Sequence, residues 1–244
     1  MLTLAQLQSL REYDTALLAN TLGYIDPSPL HEMYLGGSIQ SQTPELGPIV
    51  GLAATCKFDS SSPGSKGHGD PFYDQLQRMS EMELPTVWVV ETVGSRPDHE
   101  CVTGDGMAKL LHAAGCQGVI TNGYCRDVAG CMTVPFSVHC RGTIAHHMPV
   151  NIVETDTPIE VGGVTIRPGD LIHADREGVI RIPSGPVDSL IARAPAMRAF
   201  EQDVHAQLRR SDLSVAAKRT VVEELLGRYG FADTTDGCLK GNSR

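Results

Sequence analysis

At 244 residues the chain is long enough for one large α/β domain or two small ones, and with 41% hydrophobic and 20% charged residues it carries no signature of disorder. A formal net charge of −9 argues against a nucleic-acid backbone as partner, while leaving room for a small anionic ligand beside one local arginine. Seven cysteines, an odd number with no C-x-x-C pair, fit reduced thiols rather than a disulfide frame or a structural zinc site.

Residues 3–22 read as one amphipathic helix, with Leu4, Leu7, Leu10, Ala16, Leu17 and Leu18 at near-helical spacing. The start of the chain has no basic n-region and no long apolar core, and no apolar run approaches the roughly 20 residues that span a bilayer. A cytoplasmic chain without a membrane partner is expected. After the break IDPSP, residues 48–56 form a first buried strand. The segment 58–71, FDSSSPGSKGHGDP, is polar and turn-rich and reads as a surface loop. Its glycine-rich core lacks the spacing of a phosphate-binding loop.

A helix over 72–82 and a short buried strand over 86–91 follow. The helix over 106–114 places Met107, Leu110, Leu111 and Ala114 on one face, and GVIT, residues 118–121, is a strand. Another strand is expected at 134–139. From 150 to 183, short β runs are punctuated by GG, RPGD and REG, the pattern of an antiparallel unit. In that unit Asp170, Asp175 and Gly178 read as turn and hairpin residues. The tail 186–229 is helical, with a break expected at Pro195. No repeat or linker is evident, so a single compact α/β domain over 1–244, with its core at about 5–225, is the expectation.

The chemistry concentrates in GDGMAKLLHAAGCQGVITNGYCRD, Gly104 to Asp127. The pair Gly104-Asp105 opens a helix, where free backbone N–H groups favour an anion and glycine permits close approach. Asp105 as an ordinary helix N-cap is the competing reading. The pair Arg126-Asp127 follows a strand, and ligands of open α/β sheets collect at the carboxyl ends of strands. Arginine offers a planar fork to a carboxylate or enolate, and aspartate a hard oxygen to Mg²⁺ or Mn²⁺. An unremarkable surface ion pair is the alternative. A βαβ-like return of the chain would bring the two pairs to one crevice. His139, Cys140, His146 and His147 lack the spacing of a zinc site, though one of the histidines could serve as an acid or base. Glu223 and Glu224 read as a solvated helix face, and no G-x-S-x-G suggests a serine nucleophile.

The GD-x20-RD spacing resembles the signature of the class II pyruvate aldolases, typified by 4-hydroxy-4-methyl-2-oxoglutarate aldolase. That family also holds the RraA-like proteins, named for a regulator of ribonuclease E activity. GLAAT (51–55), GCQGVITNGYCRD (115–127) and VGGVTIRPGDLIHADREGVIRIP (161–183) resemble further stretches of the family, in its order. Asn122 stands where the family usually has Asp, and the 58–71 loop is longer than usual.

The resemblance implies an α/β/β sandwich similar to the swivelling phosphohistidine domain, assembled as a homotrimer or homohexamer. It implies that Gly104, Asp105, Gly106 and Met107 contact the pyruvyl carboxylate through their backbone. Arg126 would bind substrate and stabilise the enolate, Asp127 would ligate Mg²⁺ or Mn²⁺, and Asp105 would act catalytically through water. The expected activity is metal-dependent cleavage of a 4-hydroxy-2-oxo acid to pyruvate and a carbonyl product, with oxaloacetate decarboxylation as a side activity. Two alternatives stand beside it: a non-catalytic regulator that binds a partner protein such as a ribonuclease, and an enzyme recruited to a different oxo or hydroxy acid.

Overall fold

Alternation in the segment TVWVVET sets the layering. Val87 and Val89 point to one face of a sheet, Trp88 and Val90 to the other, and all four are fully buried. The structure, a computed structural model, describes residues 2–64, 66–147 and 149–232. The chain folds into two compact units: residues up to Thr15 with Pro29–Ser184, and Ala16–Ser28 with the segment from Gly185 onward.

In chain order the first unit holds α1 (Leu4–Arg11), the start of α2 (Thr15–Ile25), β1 (Gln40–Ser41), β2 (Ile49–Phe58), α3 (Asp70–Ser80) and β3 (Thr86–Thr92). It continues with β4 (Cys101–Thr103), α4 (Asp105–Ala113), β5 (Cys116–Thr121), β6 (Tyr124–Cys125), α5 (Val128–Cys131) and β7 (Ser137–Cys140). Then come β8 (Ile152–Thr155), β9 (Ile159–Val161), β10 (Val164–Ile166), β11 (Leu171–Asp175) and β12 (Gly178–Ile182).

The main sheet runs β1-β7-β5-β3-β2-β11-β12, with β8 added beside β2. Strands β2, β3, β5 and β7 pair in parallel, and β11 and β12 extend the sheet antiparallel. One face packs Phe58, Trp88, Val90 and Val119 against Phe72 and Leu76 of α3 and Ala108 and Leu111 of α4. The opposite face packs Ile49, Val87, Val89 and Ile120 against Ile159 and Val161 of β9 and Val164 and Ile166 of β10. Helices, sheet and hairpin make the expected α/β/β sandwich. Each fully buried large side chain contributes about 1.5–3 kcal/mol. Two polar side chains inside this core are paired: Trp88 Nε1 donates to Gln75 Oε1 at 2.8 Å, and Gln75 Nε2 donates to the Thr55 carbonyl at 2.9 Å.

The second unit contains the rest of α2, α6 (Val187–Leu208) and α7 (Val215–Arg228). Phe231 packs beside Tyr24 and Phe200, with the Arg193 guanidinium 4.4 Å from its ring centre.

Three expectations need correction. The helix expected over 3–22 is two helices, because the Thr15 N–H donates to the Asp175 carboxylate at 2.8 Å. Pro195 does not break the tail, for it lies inside α6; the interruption falls at residues 209–214, where Ser214 caps α7 by accepting from Ala217 N. The strand expected at 134–139 begins at Ser137, past Pro135. Six cysteines are free and buried, and Cys238 lies outside the described residues.

Asp175 is more than a hairpin residue. It holds Thr15, whose hydroxyl lies 2.9 Å from Nδ1 of the fully buried His173. Burial pushes the His173 pKa from 6.5 down to about 4, against the attraction of Asp175. The neutral ring is therefore the folded form. Stability falls as pH drops below 6.5, and the loss, on the order of 3 kcal/mol, is complete below about 4. Burial lowers His139 in the same sense. Urea unfolding at pH 7.0, 6.0 and 5.0 should show this decline, and His173→Asn should shrink it; an undiminished decline in that variant would remove His173 as its source.

Candidate active site

The two-residue and three-residue strands build the site. β4 and β6 pair in parallel, Cys101 with Tyr124 and Thr103 with Cys125, and the Arg126 N–H donates to the Thr103 carbonyl at 3.0 Å. Parallel neighbours end on the same side. Gly104-Asp105 follows β4 directly and Arg126-Asp127 follows β6 directly, so both pairs emerge together. A Cβ placed on Gly104 would lie 3.0 Å from Arg126 Cγ, 3.2 Å from its Nε and 3.3 Å from Asp127 Oδ2. Arg126 thus lies across a gap that only glycine leaves. The backbone of Gly104 is extended, so the requirement is for space rather than for an unusual conformation.

Gly104, and not Asp105, is the N-cap of α4. The first helical bond runs from Ala108 N to Gly104 O at 3.0 Å, so the N–H groups of Asp105, Gly106 and Met107 precede the ladder. These three donors and the positive end of the helix dipole suit an anion. The Asp105 carboxylate does not cap; it pairs with Lys109 one turn on. Gly130 of α5 leaves room for it, since a Cβ there would meet Asp105 Cγ at 2.7 Å. In Gly130→Ala the new methyl would also lie 2.8 Å from Asp105 Cβ, so the side chain and its backbone must shift together, at a cost of about 1–3 kcal/mol in stability. The variant should also lower turnover about tenfold by moving Asp105, and a wild-type rate would show that Asp105 is not needed where it stands.

Asp127 adopts a left-handed conformation, with φ 52° and ψ 39°. Such backbone costs on the order of 1 kcal/mol in a residue with a Cβ, though aspartate bears it better than most. The turn aims the Asp127 carboxylate back at Arg126, with Oδ2 3.3 Å from Nε, instead of along α5. Arg126 is one-third exposed and Asp127 about half exposed, both open to a ligand. Beneath them lie the buried thiols of Cys101 and Cys131, each pushed up to about 11 by burial. Both are protonated at neutral pH and are poor nucleophiles.

Asn122 faces away from this chemistry. Its side-chain oxygen accepts from the Thr92 N–H at 2.7 Å and the Thr92 hydroxyl at 3.2 Å, tying β5 to β3. The 58–71 segment is anchored at both ends. Ser60 N–H and Oγ donate to the buried Glu100 carboxylate at 2.9 and 2.7 Å, and His68 N donates to the Val150 carbonyl at 2.8 Å. Ser60 and Ser61 line a cleft of about 430 Å³ with Arg96, His99, Ile144 and His146. Asp170 holds its turn by accepting from Arg167 N at 2.8 Å. His147 stands out in the sequence only as one of several histidines; its Nδ1 lies 3.1 Å from Arg126 Nη2. Lys109, Gly130 and the paired strands β4 and β6 carry no sequence signal that would have drawn attention to them.

Among the described residues, no group of three or more His, Cys, Asp and Glu side chains is arranged to hold a metal ion. The donor set at the site is two neighbouring carboxylates, Asp105 and Asp127. That set fits a hard cation that keeps several waters and borrows substrate oxygens, and it does not fit a soft, fully caged ion. No described helix is long and apolar enough to cross a membrane.

Comparison with known proteins agrees with this architecture. The chain is 34% identical over 155 residues, 62% of its length and 70% of the other's, to a protein of Halalkalibacterium halodurans named "Putative 4-hydroxy-4-methyl-2-oxoglutarate aldolase". Among solved structures it superposes, with a TM-score of 0.69 and 22% identity, on a protein described as a novel cellulase from microbes of the gut ecosystem, covering 83% of this chain and 88% of that one. It also superposes on Streptomyces coelicolor RraAS2, described as an unusual member of the RNase ES inhibitor RraA family, with a TM-score of 0.63 and 21% identity over 86% and 98% of the two chains. At such identities the structural likenesses show the fold alone. The model of the RraA-like family, Aldolase/RraA, matches residues 29–181, more than half of the sequence, and the chain belongs to that family.

Proposed function

We propose that this chain is a divalent-metal-dependent carbon–carbon lyase that cleaves a 4-hydroxy-2-oxo acid to pyruvate and a carbonyl product. The observation that carries this reading is the packing of Arg126 and Asp127 across Gly104, at the open end of α4. One fork donor, one hard carboxylate and three N–H groups ahead of the first helical bond meet there, which is what a 2-oxo carboxylate needs. A regulator that only binds a partner protein has no use for that combination.

The backbone N–H groups of Asp105, Gly106 and Met107 receive the substrate carboxylate. Asp127, with Asp105 alongside, would hold Mg²⁺ or Mn²⁺, which would supply Lewis-acid polarisation of the keto group. Asp105 orients a water that accepts the proton of the C4 hydroxyl. As the C3–C4 bond breaks, C4 becomes the carbonyl of the departing product. The electron pair passes to the pyruvate enolate, whose oxygen Arg126 stabilises by hydrogen bonding. A proton then adds at C3 to give pyruvate. Oxaloacetate reaches the same enolate by losing carbon dioxide in place of the carbonyl product. The proposal includes assembly as a homotrimer or homohexamer in the cytoplasm.

The test is pyruvate release from 4-hydroxy-4-methyl-2-oxoglutarate and from oxaloacetate, with Mg²⁺ and then with EDTA. Metal-dependent pyruvate from either substrate is the expected result. No pyruvate from either, with folded and Mg²⁺-supplied protein, would overturn the lyase reading in favour of a partner-binding role or a different acid.

A further inference from the structure

Beyond the residues of the signature, one side chain among the described residues reaches the Arg126 guanidinium. The segment after β7 returns alongside β6 through a bridge between Thr143 and Cys125, with Ile144 N donating to the Cys125 carbonyl at 3.0 Å. It places Nδ1 of His147 3.1 Å from Arg126 Nη2. Arginine has five N–H donors and no acceptor, so in this contact Nδ1 must accept. The ring is then neutral and carries its proton on Nε2.

The guanidinium is therefore held at two edges: Nε by Asp127 Oδ2 at 3.3 Å, and Nη2 by His147. Its Cγ and Nε lie over Gly104, and its remaining N–H groups make no hydrogen bond among the described residues. A carboxylate that ligates a cation donates its oxygen electrons elsewhere, which weakens its hold on Nε. His147 then becomes the main protein group fixing the fork.

We propose that His147 is a positioning residue for Arg126, accepting through Nδ1 so that the guanidinium presents its remaining N–H groups to the pyruvyl oxygens. This rests on the lyase reading for its consequence in turnover, but not for the contact itself. An aromatic ring without an acceptor, His147→Phe, keeps the bulk and removes the bond. In His147→Asn the amide oxygen can occupy the place of Nδ1.

Two measurements decide it. Ring ¹⁵N shifts at neutral pH should report His147 Nδ1 as unprotonated in the wild type; a proton on Nδ1 would overturn the proposal whatever the enzyme does. Calorimetry with oxalate, the planar mimic of pyruvate enolate, in the presence of Mg²⁺ should show about tenfold weaker binding to His147→Phe, the size expected for a hydrogen bond to a charged group. Binding to His147→Asn should return to within about threefold of wild type. Turnover should follow the same order, through kcat at least as much as through KM, because the guanidinium acts on the enolate oxygen. Equal oxalate affinity in wild type and His147→Phe, or an Asn variant as impaired as Phe, would refute a role for the acceptor. Should the wild type release no pyruvate while the ¹⁵N shifts hold, the lyase reading fails and the His147–Arg126 contact stands.

Discussion

Arg126→Ala should reduce kcat/KM for pyruvate release by about a thousandfold while leaving the fold intact. Loss of a single preorganised donor to a developing oxyanion costs a factor of about 10²–10³, and the same side chain is also asked to bind substrate. Its structural cost is small. The Arg126–Asp127 pair is half open to solvent and the His147 contact is exposed, so their loss should move stability by less than about 1 kcal/mol. Arg126→Lys is the sharper variant. It keeps the charge and loses the planar fork, and about a hundredfold loss is expected, because one ammonium cannot serve the oxygen, Asp127 and His147 in the same geometry. Steady-state kinetics with thermal melts on the same samples checks both. Wild-type turnover in Arg126→Ala would remove this residue from the chemistry.

Removing the carboxylate of Asp127 should abolish activation by Mg²⁺, and the backbone at this position allows the chemical effect to be separated from damage to the fold. Asp127→Asn keeps the shape and a side chain tolerant of the left-handed region, and takes away only the charge. Asp127→Gly takes away the carboxylate and also relieves the φ of 52°. The glycine variant should therefore be as stable as the wild type or up to about 1 kcal/mol more stable, and yet at least a hundredfold less active. Activity and stability moving in opposite directions is the mark of a strained functional residue. If Asp127→Gly retained a rate that rises with Mg²⁺ and falls with EDTA, the assignment of Asp127 as metal ligand would be wrong.

Much of the fold is legible in the sequence because it depends on local periodicity. The continuous apolar run within residues 86–91, the apolar face of residues 106–114 and the turn signals between 150 and 183 each correspond to an element, β3, α4 and the hairpins β9–β10 and β11–β12. Several short elements elsewhere are not legible. β4, β6 and α5 are too short for a period, and β4 and β6 are defined only by their pairing with each other across the intervening helix and strand. The misread positions share a cause. Thr15 leaves the helical ladder for a carboxylate 160 residues away, and Pro195 is carried within a 22-residue helix.

The spacing of Gly104-Asp105 and Arg126-Asp127 is a property of the sequence, and so are the residue types that chemistry on an oxo acid requires. That the two pairs stand together is decided by the tertiary structure, because β4 and β6 lie parallel and end side by side. The same holds for the left-handed turn of Asp127, the room that Gly130 leaves for Asp105 and the approach of His147 to Arg126. Periodicity and residue chemistry act over a few positions and can be read along the chain. Proximity between β4, β6 and the returning segment exists only after the sheet has formed.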